Sequence, residues 1–64
     1  MRPHWIERGG CKELWCGDVL WATVRREAPY YRVRLMGRPG SRLRRVGGIR
    51  PAMNLAEQWY KENC

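Results

Sequence analysis

Residues 30–36, YYRVRLM, decide how the chain is read. Tyr31, Val33 and Leu35 alternate with Tyr30, Arg32 and Arg34, the period of two expected of a half-buried strand. Aromatic and β-branched side chains suit a pleated surface, and the polar set on the other side requires water or a polar partner. A strand with one apolar and one cationic side belongs in an antiparallel sheet covered on one face, because strands of parallel sheets are buried on both.

Toward the N-terminus, Glu27-Ala28-Pro29 interrupts the pattern, since Pro29 cannot donate a ladder hydrogen bond. Residues 19–26, VLWATVRR, read as the preceding strand. Gly17-Asp18 is a two-residue hairpin turn, and Lys12 to Cys16 (KELWC) is a short strand before it. The first ten residues, ending in Gly9-Gly10, are expected to form a loosely ordered arm on which Trp5 and Ile6 find some packing.

Toward the C-terminus, Gly37-Arg38-Pro39-Gly40-Ser41 is a turn by composition. RLRRV (42–46) is the last strand, and its alternation slips between Leu43 and Val46, which predicts a bulge or an early end. After Gly47-Gly48, Pro51 is placed as a first helical residue, pre-set in φ. Ala52, Leu55, Ala56, Trp59 and Tyr60 follow at helical spacing and give one apolar face, with Glu57 and Lys61 paired outside it. The expected fold is α+β: a three- or four-stranded antiparallel meander packed on one C-terminal helix. It forms a single small domain over 1–64, with the arm at 1–10, the sheet at 11–47 and the helix at 51–62.

Thirteen basic residues oppose six acidic ones, for a net charge of +7. Eleven of the thirteen are Arg, whose planar donor fork fits phosphates, guanine edges and carboxylates. One helix covers one sheet face. With Leu20, Ala22, Val24, Tyr31, Val33, Leu35 and Leu43 assigned to the helix side, alternation sends their neighbours to the other. The bare face then carries Arg25, Arg32, Arg34, Arg42 and Arg44 with Trp21 and Tyr30, a nucleic-acid-binding set of cations interleaved with aromatics. A one-residue change of register would invert this assignment.

The segment from Val19 to Lys61 resembles the three-strand-plus-helix DNA-binding domains of tyrosine recombinase arm-site binders, and similar small phage and mobile-element proteins. The likeness is carried by YYRVRL, the Gly-containing turn GRPGS, the basic strand RLRR and the helix AMNLAEQWYKEN. Plant ethylene-response-factor domains share the layout. The resemblance implies a sheet lying in the DNA major groove and the same five arginines as contacts. The chain departs from the recombinase pattern in its extra Trp-rich segment before Val19, and the expectation is a stand-alone domain with no catalytic domain after the helix.

DNA is therefore the expected partner, ahead of RNA. The alternative is a phage-type protein-interaction module or inhibitor, acting for instance on a host defence complex such as CRISPR-Cas. It would meet an acidic host surface with the Arg face and with Trp5 and Trp15 as anchors. Catalytic and cofactor roles are not expected in a chain of 64 residues with one His and a thin core. Cys11, Cys16, Cys64 and His4 could in principle ligate zinc, but the Cys-x4-Cys spacing is wide and no metal site is assigned. The odd cysteine count argues against a disulfide framework. With no long apolar run and no secretory h-region, the expectation is a cytoplasmic or nucleoid-associated protein that does not bind membrane.

Overall fold

The computed structural model describes residues 2–37 and 40–64. Five strands form one antiparallel sheet in the order β1-β2-β3-β4-β5: His4–Arg8, Cys11–Cys16, Val19–Glu27, Tyr30–Leu35 and Arg42–Val46. Helix α1, Ile49–Asn63, follows and lies over β3, β4 and β5. The α+β class and the meander are as expected. The fifth strand is β1, made by residues expected to be a loose arm.

Three of the connections are two-residue turns whose chemistry fixes the strand order. Gly9 and Gly10 both have positive φ, at 56° and 78°, the signature of a type I′ hairpin turn between Arg8 and Cys11. Gly17 has φ 64° ahead of Asp18, as in type II′. Ala28-Pro29 joins β3 to β4 through a cis peptide. The expected turn over 37–41 includes Arg38 and Pro39, which lie outside the described residues.

Residues directly opposite in a sheet share a face. On the helix side the row Trp5–Leu14–Ala22–Leu35–Arg42 crosses all five strands, and Lys12–Val24–Val33–Arg44 runs beside it. Leu14, Ala22, Val24, Val33, Leu35, Ala52 and Ala56 form the buried core. Ala52 and Ala56 stand one turn apart, so the helix backbone approaches the sheet closely there.

Larger side chains ring this centre. Trp59 donates its indole N–H to the Met36 carbonyl at 2.8 Å, and Tyr60 meets Trp21 edge-on with ring centroids 5.2 Å apart. Trp5 reaches from β1 to the helix and donates to Glu57 at 2.8 Å, which ties the edge strand into the domain.

The helix begins two residues earlier than expected. Gly48 is its N-cap, and the first bond runs from Ala52 N–H to the Gly48 carbonyl at 3.1 Å. Pro51 is thus the third helical residue, still within the turn whose N–H groups have no partner in the helix. No helix among the described residues is long and apolar enough to cross a membrane.

Candidate nucleic-acid interface

The face away from α1 is built by the other half of each strand. Arg8, Cys11, Arg25, Arg32 and Arg45 stand opposite one another in one row across all five strands. Ile6, Glu13, Thr23, Arg34 and Leu43 form the next row, and Glu27 faces Tyr30 beyond the first. The long row spans four inter-strand steps, about 19 Å. Five guanidinium groups therefore share this face with the carboxylates of Glu13 and Glu27.

Both carboxylates are engaged. Glu27 Oε2 lies 3.1 Å from Arg32 Nη2. Glu13 Oε1 accepts the Trp15 indole N–H at 3.0 Å and lies 4.0 Å from Arg8 Nε. Among the described residues no carboxylate oxygen comes within 4.0 Å of the nitrogens of Arg25, Arg34 or Arg45. Two open depressions mark the face: one lined by Cys11, Thr23, Arg25, Arg32, Arg34 and Met36, the other by Arg32, Leu43, Arg44 and Arg45 at the β5 edge.

Of the set drawn from the sequence, Arg25, Arg32, Arg34 and Tyr30 lie on this face. Trp21, Arg42 and Arg44 do not, and two separate causes move them. In β3, Leu14 pairs with Ala22 but Trp15 pairs with Leu20, so Trp21 is the extra residue of a β-bulge. A bulge breaks strict alternation. It turns Trp21 toward Tyr60 on the helix side and puts Leu20 opposite Trp15 on the bare face.

In β5 the pairing places Arg42 opposite Leu35 and Arg44 opposite Val33, both core residues. Arg42 stacks its guanidinium over Trp59 at 5.6 Å, and Leu43, expected in the core, is 55% exposed. The helix does not reach far enough over this edge strand to bury a whole row. Arg42 covers the rim of the core beside Trp59, while Arg44 is exposed and its side chain reaches the edge depression shared with Arg32, Leu43 and Arg45.

Sequence reasoning missed Arg8 and Arg45. The signal for Arg8 was available in Gly9-Gly10, a hairpin turn that makes the preceding residues a strand. For Arg45 no local signal existed, because RLRRV alternates equally badly in both registers. Trp15 lies on the bare face, half-buried beside Ile6 and Leu20, whereas Trp5 is bound under the helix side and is not an exposed anchor.

His4, Cys11, Cys16 and Cys64 do not form one cluster, although Cys16 and Cys64 both meet the Tyr60 hydroxyl. Cys11 lies in the arginine row, Cys16 lies 3.3 Å from the Tyr60 hydroxyl on the other face, and among the described residues no three His, Cys, Asp or Glu side chains come together. The Tyr60 phenol is held well above its ordinary pKa, first by hydrogen bonding with Cys16 and then with Cys64. Compared with known proteins, the chain matches no family model, and neither the curated proteins nor the solved structures give a match.

Proposed function

We propose that the protein binds duplex nucleic acid, DNA by preference, through the sheet face that α1 leaves bare. The observation that carries this reading is the direct opposition Arg25–Arg32–Arg45. Like charges facing one another across strands destabilise a sheet. Three in succession, on a face with no packing partner among the described residues, make sense when an anion completes them. Duplex backbone supplies regularly spaced negative charge, and guanidinium forks suit its phosphate oxygens.

The placement of the aromatics favours a duplex over single strands. Trp21 packs against the helix and Trp15 is half-buried with its N–H engaged. That leaves Tyr30, 50% exposed at the end of β4, as the open aromatic of the predicted set. Stacking successive unpaired bases needs several such platforms. The likeness to small recombinase arm-binding domains points the same way.

The experiment is a titration of tryptophan emission with duplex DNA, single-stranded DNA and RNA at two salt concentrations. Duplex is expected to bind tightest. Each neutralised phosphate contributes about −0.9 to the log–log salt slope, so four arginine contacts give a slope of about −3.6. Affinity independent of salt, or unchanged in Arg25→Ala/Arg45→Ala, would contradict the proposal.

A second reading has one observation in its favour. Ile6, Trp15 and Leu20 form an apolar strip on the same face, apart from the core cluster. An aromatic anchor beside cations is also how a small inhibitor grips an acidic protein surface. Complexes that survive nuclease and high salt would favour that partner, since apolar contacts are not screened.

A further inference from the structure

We infer that the depression between Arg25, Arg32, Arg34 and Thr23 is a seat for one phosphodiester group of the bound duplex. The inference rests on the proposed docking of nucleic acid on the bare face, and adds where on that face a backbone phosphate is held.

Register defines the seat. Arg25 stands opposite Arg32, and Thr23 opposite Arg34. Arg25 and Thr23 are two residues apart on β3, as are Arg32 and Arg34 on β4. The four side chains therefore rise from the corners of a rectangle about 5 Å across the strands and about 7 Å along them. Between them is an open hollow of about 220 Å³, completed by Cys11 and Met36.

The donors suit a tetrahedral oxyanion. Arg25 and Arg34 have no carboxylate within ion-pairing distance among the described residues, so their forks remain for a ligand. Arg32 also lines the hollow, and its Nη2 lies 3.1 Å from Glu27 Oε2. Thr23 adds a hydroxyl, the one neutral donor among the corners. Three cations against one carboxylate leave the hollow electropositive, and phosphate oxygens accept from forked donors in pairs.

Cys11 gives the test its reporter, because its side chain lines the hollow. The full chain is labelled with a small neutral thiol reagent, and the three cysteines are followed separately by peptide mass. Runs are made with no ligand, with a short DNA duplex, and with inorganic phosphate. Duplex binding is monitored in parallel by tryptophan emission.

At a duplex concentration ten times the dissociation constant, Cys11 labelling should slow about tenfold, while Cys64 reacts as before. Arg34→Lys keeps the charge but loses the fork, and should weaken duplex binding about tenfold. Arg26→Lys, exposed on the helix side of the sheet and outside the docking face, should change it less than about twofold.

Duplex that binds without protecting Cys11 overturns the seat and leaves the docking face standing. Protection by inorganic phosphate but not by duplex assigns the hollow to a free anion and also overturns it. No binding of duplex at all overturns both. An Arg34→Lys variant that binds duplex as tightly as the parent would mean general charge attraction rather than a built site, because the charge is kept.

Discussion

Trp5, Trp15 and Trp59 each direct an indole N–H to a protein acceptor, respectively Glu57, Glu13 and the Met36 carbonyl. A ring that is apolar in body and polar at one edge suits a core this thin, where few positions are sealed from water on all sides. Trp59 also supports Arg42 on its face. Trp59→Phe should destabilise the domain by about 2 kcal/mol in urea unfolding, since the Met36 carbonyl loses its donor and ring area is lost. Tyr60 gives a pH signature. Its folded pKa is raised, so the folded state keeps a proton that the unfolded chain releases near pH 10. Its contribution is complete below that pH and declines as pH rises above it. Tyr60→Phe should therefore flatten the alkaline fall in melting temperature relative to the parent.

The hairpin turns and the bulge decide what each strand presents. Gly10 has φ 78° with nothing within 4 Å of an added Cβ, so Gly10→Ala meets only backbone strain. A loss of about 1–2 kcal/mol is expected from urea midpoints. Gly9→Asn, which suits the first position of a type I′ turn, should cost far less. On β5, Leu43 lies in the bare-face row with Arg34. Leu43→Thr should shift stability by no more than about 0.5 kcal/mol, whereas the same change at buried Leu35 should cost several. A large loss at Leu43 would refute the β5 register.

Across the whole molecule, α1 sorts the arginines. Arg8, Arg25, Arg32, Arg34 and Arg45 are on the bare face, while Arg26, Arg42 and Arg44 stand opposite Tyr31, Leu35 and Val33 on the helix side. Charge alone would give every arginine the same role, but the fold separates them. Arg42→Ala should lower stability by about 0.5–1 kcal/mol through loss of its contact with Trp59, and leave DNA affinity nearly unchanged. Arg45→Ala should do the reverse and reduce the salt slope by about 0.9. Thermal melts and DNA titrations on the two variants check both halves.

By itself the sequence determined the antiparallel meander, the helix that closes it and the cationic side of β4, because alternation in YYRVRLM and the spacing of Ala52, Ala56 and Trp59 are local patterns. Tertiary structure decided which face Trp21, Leu20 and all of β5 present. A one-residue bulge and an edge register are set by cross-strand pairing rather than by the alternation within a strand, and either one exchanges the two faces of a strand. The bare-face row owes Arg8 to the local Gly9-Gly10 hairpin and Arg45 to the pairing of β5 with β4, and only the assembled sheet brings the two into one line.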